Sequence, residues 1–350
     1  MRSRRRNPRN QSSHTNSVHI LRNPFANMAT TTAFSEKPLE LPFVTLDVFT
    51  TTRFKGNPLA VVTIPANLPT PPTQDQKQAI AREFNLSETV FIHDVDLATA
   101  DDQVAQQRKI DIFLVDAEIP FAGHPTIGAA VSLLPLGVRT VVAKAGPIEI
   151  TQTGPRAVEA AIPHDVRLHA KRPRDLPGLS LSSDPAIRQA ELDAPLFSIV
   201  NGMTFLLVEL PSLELLARVQ NTPASLPADQ LLDEGWRKSF VGKYHYVRTA
   251  VTSSSSSPEA GDNVVTVRTR MVEPSLEDPA TGSAASALCS YLSLYEGNGR
   301  DGLTRYEVTQ GVEMGRESNI FVSVATKDQK VDTVKLSGTA TQVMRGYVTL

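Results

Sequence analysis

The sequence contains a single cysteine, Cys289, among 350 residues. One cysteine excludes an intramolecular disulfide, a cysteine zinc cluster and every mechanism that needs two thiols in one chain. The chain has no run of about 18 uninterrupted apolar residues, so we expect no transmembrane helix. A formal net charge of only −2 removes the simplest argument for nucleic-acid binding. What remains is an ordinary globular composition, 41% hydrophobic and 21% charged, at a length typical of about two domains.

Residues 1–35 differ in charge from the rest of the chain. They contain six arginines and no acidic residue, and they are rich in Asn, Ser and Thr. This composition fits a mitochondrial transit peptide, a disordered basic tail, or an extension upstream of a second start at Met28. The segment lacks a continuous amphipathic repeat and prolines interrupt it, which disfavours a transit peptide, and no apolar stretch follows its arginines, which disfavours a secretory signal. We expect residues 1–41 to be a disordered extension and the protein to be cytoplasmic, with a mitochondrial location as the alternative.

Two runs of small residues predict helices that begin with a tight turn. The first run lies at 119–131, where Pro125 suits the first turn of a helix because a missing N–H costs nothing there. The second run lies at 278–288. Their similarity indicates two related halves. Between them, residues 163–195 carry five prolines and are a candidate linker or domain crossover.

The two predicted helix N-termini point to a chemistry. Each exposes unpaired backbone N–H groups and a partial positive charge, so two of them facing one cleft would bind a carboxylate. Three titratable residues accompany them: His124 and Asp278 at the two predicted helix starts, and Glu88 before an apolar strand. Such a set can move protons at carbon without a cofactor if burial tunes a pKa. Structural roles are equally open at this point, with Asp278 as a helix N-cap, His124 at a helix start and Glu88 in solvent.

Five runs of sequence together resemble the phenazine biosynthesis PhzF-like family. In chain order they are 56–62, 85–91, 118–128, 277–284 and 310–316, which read GNPLAVV, NLSETVF, EIPFAGHPTIG, EDPATGSA and QGVEMGR. No single run is specific, whereas the combination in this order is. The resemblance covers about residues 42–350 and leaves out the basic N-terminal segment.

The resemblance implies the diaminopimelate epimerase-like fold. This α+β fold has two similar halves, each with a curved, mostly antiparallel sheet wrapped around a central helix, and an active site between the halves. We expect the halves at 42–165 and 166–339, with a final strand near 340–350 that returns to the first half. The family also implies a homodimer, and we expect neither nucleic acid nor membrane as a partner.

The epimerase branch of this superfamily uses two cysteines as its acid and base. This chain cannot supply that pair, and its Cys289 is expected in the core. The PhzF-like branch uses a glutamate instead. Carried over by motif, the resemblance makes Glu88 the residue that shuttles a proton. His124 and Asp278 become its catalytic partners, which position the substrate or assist transfer.

The same motifs imply how the substrate is held. Backbone N–H groups and a hydroxyl at the two helix starts would bind its carboxylate, supplied by Gly123, Gly282 and Ser283. The reaction implied is a cofactor-independent isomerisation that moves one proton on a small cyclic or unsaturated carboxylic acid. One departure is Glu317 in the run Gly-Arg-Glu-Ser, where the family often has proline; we expect it to affect a loop.

Two other functions remain open from the sequence. A catalytically silent small-molecule-binding or regulatory protein could retain the fold, because a fold does not establish catalysis. A nucleotide-binding oxidoreductase is the other, since residues 297–302 match the dinucleotide glycine pattern; they follow a predicted helix instead of a strand, which favours a loop. No metal site is predicted, because the remaining histidines are dispersed. The serine-rich run at 252–258 is predicted to be a loop.

Overall fold

The computed structural model describes residues 39–253, 263–274, 276–296 and 301–350. The basic N-terminal segment therefore lies outside the described residues. So do most of the serine-rich run and residues 297–300 of the glycine pattern. Within the described part of the chain, no helix is long and apolar enough to cross a bilayer.

More of the described residues lie in β-strands than in α-helices. The strands are β1 (Glu40–Val48), β2 (Asn57–Ile64), β3 (Thr89–His93), β4 (Gln107–Phe113), β5 (Glu118–Ile119), β6 (Thr140–Ala143), β7 (Gly146–Gly154), β8 (Ala157–Ala161), β9 (Arg167–Leu168), β10 (Leu196–Val200), β11 (Met203–Glu209), β12 (Phe240–Ser253), β13 (Asn263–Val272), β14 (Glu277–Asp278), β15 (Gly302–Gln310), β16 (Ser318–Lys327) and β17 (Lys330–Thr349). The helices are α1 (Gln74–Phe84), α2 (Asp102–Ala105), α3 (Gly123–Leu133), α4 (Pro185–Asp193), α5 (Leu213–Ala217), α6 (Ala228–Leu231) and α7 (Gly282–Tyr291).

The sheet of the first half closes on itself. In the order in which they pair, its strands are β1, β2, β3, β4, β6, β7, β8 and β17, and β17 pairs with β1 to close the ring. β17 spans 20 residues and serves both halves: its first part pairs with β16 and β8, and its second part pairs with β1. The second half runs from β9 through β10, β11, β12, β13, β15 and β16 to β17.

The two halves repeat one arrangement. Most pairs are antiparallel, but β2–β3 and β4–β6 in the first half are parallel, as are β11–β12 and β13–β15 in the second. In each half a short strand, β5 or β14, leads into the central helix. Both leads share glutamate, proline and glycine at the same spacing, with Glu118 matching Glu277 and Gly123 matching Gly282. The predicted α+β fold class is confirmed.

Each sheet encloses its helix, which explains the small residues. All of α3 except Ser132 is buried, and all of α7 except Tyr291. A helix covered on every side needs small side chains wherever a strand approaches closely. At Gly128 an added Cβ would lie 2.4 Å from Leu59 Cδ2 and 2.9 Å from Val48 Cγ2. The glycine is required by the contact with β1 and β2.

Of the two interpretations of 163–195, the linker is wrong, whereas the domain crossover stays a prediction. This stretch contains β9 and α4, and Ile187 of α4 lies fully buried in a second apolar cluster. Its prolines do not break structure, because Pro185 occupies the first turn of α4 directly after the N-cap Asp184. Asp184 accepts a hydrogen bond from the N–H of Ala186, which fixes the start of the helix.

Candidate active site

The N-termini of the two central helices touch each other. An added Cβ on Gly123 would lie 3.1 Å from the Cα of Gly282 and 2.9 Å from Leu336 Cδ2. An added Cβ on Gly282 would meet the same Leu336 methyl at 2.8 Å. Only glycine at both positions lets the helix starts, and the positive ends of their dipoles, come this close.

Neither helix start is capped by its own side chain. Ala122, the N-cap residue of α3, has no polar side-chain atom, and Thr281, the N-cap residue of α7, makes no capping hydrogen bond. The N–H groups of the first turns, including those of Gly123, Gly282 and Ser283, have no partner within their own helix. Two uncapped helix N-termini side by side have the electrostatics that favour an anion.

Glu88 and His124 meet at this point. Glu88 stands directly before β3, and His124 is the second residue of α3. Glu88 Oε2 and His124 Nδ1 are 3.2 Å apart, an ion-pair distance. Beyond this ion pair, Glu88 Oε2 and His124 Nε2 are both buried without a hydrogen-bond partner among the described residues. Buried polar atoms are almost always paired, so both atoms are open to a partner from outside the chain, such as water or a ligand.

The two side chains keep each other charged. Burial alone would raise the pKa of Glu88, but the positive charge of His124, together with polar interactions of His124 and Ser87 with the carboxylate, lowers that pKa below its usual value. Burial alone would lower the pKa of His124, but Glu88 first and Asp278 second raise it above the usual value. Each side chain therefore favours the charged form of the other, a carboxylate beside an imidazolium.

Asp278 completes the group from the other half. Burial, and then the charge of Glu88, raise its pKa to about 6. Its Oδ1 accepts a 2.7 Å hydrogen bond from Asn57 Nδ2, and its Oδ2 accepts a 2.5 Å bond from the hydroxyl of Thr281. The interpretation of Asp278 as a helix N-cap is wrong, because it lies on β14 and Thr281 holds the N-cap position.

Three further polar residues belong to this site and carried no assigned role in the sequence: Asn57, Thr281 and Gln310. Asn57 starts β2, and besides Asp278 it binds the backbone carbonyl of Ala280, so it joins the two halves. All three lie inside the runs that resemble the family. The signal that would have identified them is the burial of an uncharged polar side chain, and a sequence does not display burial.

Asp278 should lower the stability of the folded protein at neutral pH. Its folded pKa of about 6 exceeds the usual 3.8, so its charge disfavours folding above about pH 6 and has no such effect below about pH 4. We expect Asp278→Asn to raise the free energy of unfolding by about 1–2 kcal/mol at about pH 7.5, after allowing for the lost attraction to His124. Urea unfolding of wild type and variant at about pH 7.5 and about pH 4 measures this effect, which should be present only at the higher pH. Lower stability of the variant at pH 7.5 would contradict it.

A serine, a histidine and an aspartate elsewhere imitate a catalytic triad. His169 Nε2 lies 2.9 Å from the buried Ser198 hydroxyl, and His169 Nδ1 lies 3.9 Å from an Asp233 oxygen. However, the backbone N–H of Asp233 donates to Nδ1 at 3.2 Å, so the ring proton is on Nε2. A histidine in this tautomer donates to the serine and cannot remove its proton. Burial also lowers the pKa of His169, and we assign the cluster no catalytic role.

Two remaining sequence features contribute no chemistry here. Cys289 is fully buried inside α7, as expected for a core residue, and burial raises the pKa of its thiol, so no thiolate forms. Glu317, the departure from the family run, accepts a hydrogen bond from the N–H of Gly56 through its backbone carbonyl. Its neighbour Arg316 binds the Gly56 carbonyl and Asp47.

The sequence as a whole is similar to isomerases. The family model for phenazine biosynthesis-like protein matches residues 46–346. An uncharacterised isomerase of Mesorhizobium japonicum is 32% identical, and the match covers 87% of this chain and 97% of that protein. A trans-2,3-dihydro-3-hydroxyanthranilate isomerase of Pseudomonas fluorescens is 28% identical over 88% of this chain and 99% of its own length.

Solved structures share the fold. A PhzF-family protein of Bacillus anthracis superposes with a TM-score of 0.65 at 19% identity, covering 89% of this chain and all of that one (100%). A hydroxyproline epimerase of Agrobacterium vitis superposes with a TM-score of 0.51 at 14% identity, over 89% of this chain and 93% of that one. At these identities the likeness concerns the fold of two enclosed helices.

Proposed function

This chain belongs to the phenazine biosynthesis-like protein family and is an isomerase, and we propose that it moves a proton on a small cyclic or unsaturated carboxylic acid by acid/base catalysis without a cofactor. One observation carries the proposal. A buried carboxylate oxygen of Glu88, with no hydrogen-bond partner among the described residues, lies 3.2 Å from His124 where two uncapped helix N-termini meet. This arrangement combines a base, a proton donor and an anion site in one place.

Glu88 acts as the base. Because His124 lowers its pKa, Glu88 is ionised at neutral pH, and its Oε2 has a free lone pair to accept a proton from a substrate carbon. Once protonated, the same side chain can return that proton to another carbon. One C–H bond breaks and one forms, so the step needs neither oxidant nor reductant.

The negative charge that forms during proton transfer would be stabilised by the N–H groups of the two helix starts and by His124. When the C–H bond breaks, its electron pair spreads through the double bonds toward the substrate carboxylate. The N–H groups of Gly123, Gly282 and Ser283 would hold that carboxylate, and the imidazolium of His124 adds a positive charge beside it. Fixed dipoles aimed at developing charge lower the barrier more than mobile water does.

Proton exchange in D₂O tests the proposal directly. The first compound to test is trans-2,3-dihydro-3-hydroxyanthranilate, named for the Pseudomonas relative, followed by other cyclic and unsaturated carboxylic acids. We expect one acid to gain deuterium or change its ¹H NMR spectrum in the presence of the protein. Heat-denatured protein is the control for uncatalysed exchange.

The second candidate function gives a different result in the same experiment. A catalytically silent binding protein would broaden or shift the resonances of an acid and never exchange its protons. Binding without exchange across the whole panel would therefore contradict proton-transfer catalysis and support the binding protein. Exchange with no binding preference for carboxylates would contradict the assigned anion site.

A further inference from the structure

Gln310 is a fully buried glutamine at the end of β15, and both of its polar atoms are engaged. Its Nε2 donates to the backbone carbonyl of Asp278 at 2.8 Å and to the hydroxyl oxygen of Thr281 at 3.1 Å. Its Oε1 accepts from the N–H of Thr281 at 3.2 Å and from the hydroxyl of Tyr244 at 3.0 Å. A buried amide with this many partners fixes the geometry of what it touches.

The bonds of Gln310 determine where the proton of Thr281 points. An amide nitrogen only donates, so the Thr281 oxygen must accept from Gln310. The threonine proton is then free for its other neighbour, the Asp278 carboxylate at 2.5 Å. The hydrogen bonds are therefore donated from Gln310 to Thr281 and from Thr281 to Asp278, and Oδ2 is the carboxylate oxygen that accepts from the hydroxyl.

This direction matters because of the position of Thr281 in α7. Threonine at an N-cap ordinarily accepts a hydrogen bond from the second or third N–H of its helix. Here its hydroxyl is held on Asp278 and makes no such bond, while its own N–H is held by Gln310. The first-turn N–H groups of α7 thus stay available to another acceptor.

We propose that Gln310 is a positioning residue, which holds the Thr281 hydroxyl on Asp278 and thereby keeps the N-terminus of α7 open for the substrate carboxylate. This inference rests on the proposed function only for the identity of the anion. The hydrogen-bond arrangement itself predicts the ionisation of Asp278 and the binding of any small carboxylate.

The pH behaviour of Asp278 depends on several charged neighbours. Glu88 and His124 face it from the first half, and Glu273, on the same hairpin, is electrostatically coupled to it. Tyr244 lies on β12 and is kept protonated by burial. Burial and the charge of Glu88 raise the pKa of Asp278, whereas the hydrogen bonds from Thr281 and Asn57 lower it. Loss of the Thr281 bond should therefore raise the pKa of Asp278.

Gln310→Met tests the inference without any substrate. Methionine keeps the length and removes every hydrogen bond. We expect ¹³C NMR of the Asp278 carboxyl, assigned with Asp278→Asn, to show a pKa higher by about one pH unit than in wild type. Tyr306→Phe is the matched control, because it also removes a buried hydrogen bond on β15, to Ser293, without touching Asp278. An unchanged Asp278 pKa in Gln310→Met would overturn the inference.

Binding of benzoate gives a second readout that needs no turnover. With Thr281 free to cap α7, we expect benzoate to bind about fivefold more weakly to Gln310→Met, the equivalent of one N-cap. If that variant does not fold, Thr281→Val and Thr281→Ser replace it. Valine has no hydroxyl, so it should raise the pKa of Asp278 while leaving the N-terminus of α7 uncapped and benzoate affinity at the wild-type value, and serine should keep both at their wild-type values. An unchanged Asp278 pKa in Thr281→Val would overturn the inference, whereas absence of proton exchange in wild type would contradict only the proposed function.

Discussion

Glu88→Gln is expected to lose proton-transfer activity by about three orders of magnitude while keeping its fold. The amide has the shape of the carboxylate but cannot accept a proton, and positioned acid/base groups contribute about 10²–10⁴-fold in rate. The quantity to measure is the rate of deuterium incorporation into whichever acid the wild type exchanges. Binding of that acid should persist, because the two helix N-termini remain.

Two further variants make the result for Glu88 specific. Glu83→Gln, on the exposed face of α1, changes the net charge equally and should exchange at the wild-type rate. Glu88→Asp retracts the carboxylate by about one C–C bond and should fall between wild type and glutamine, since misplacement by about 1 Å costs about 10²-fold. If Glu88→Gln kept a tenth or more of the activity, the base would have to be another group, and Asp278 would be the next to test.

Gly123→Ala is expected to lose both stability and activity, because its methyl group has no space. The methyl would lie 3.1 Å from the Gly282 backbone and 2.9 Å from Leu336, which is fully buried. Extra atoms in a packed core cost about 1–3 kcal/mol, and relief here requires that the two helix starts move apart. A shift of a few tenths of an ångström at both anion-binding N-termini should reduce kcat/KM by at least about tenfold.

A second substitution separates crowding from other causes. Leu336→Val removes one carbon from the side chain that faces both glycines, so Gly123→Ala combined with Leu336→Val should recover part of the free energy of unfolding. Gly154→Ala, in the β7–β8 hairpin, is the control: its added Cβ would meet only Ala157 Cβ, at 3.3 Å, so the change should be small in both measurements. If urea unfolding showed Gly123→Ala to be as stable as wild type, the close contact of the helices would not hold.

The local features of this protein are readable from its sequence. Two helix starts are encoded by small residues at 123–131 and 282–291, the first with Pro125. The preferences of residues at a helix start act within one turn, so the sequence displays them. The order of the five runs encodes the family, and with it the fold. A single cysteine excludes a thiol pair whatever the fold. In contrast, the prolines at 163–195 suggested a linker, because proline breaks a helix interior but is compatible with its first turn.

The site itself depended on contacts between residues far apart in the chain. Glu88 and His124 are 36 positions apart, and their charge states follow from a 3.2 Å approach that no local rule predicts. Asn57 and Gln310 reach Asp278 from strands in different halves. Polar side chains such as these look alike in a sequence whether they are solvated or buried.

By itself, the sequence determined the helix starts, the repeat, the absence of a thiol pair and the family. Only the tertiary structure decided that Thr281 caps nothing, that Asp278 is not an N-cap and that Gln310 directs a hydroxyl toward it. The physical reason is range. Backbone propensities and capping act over a few residues, whereas burial, pKa and the direction of a hydrogen bond are set by neighbours that only the closed sheets bring together.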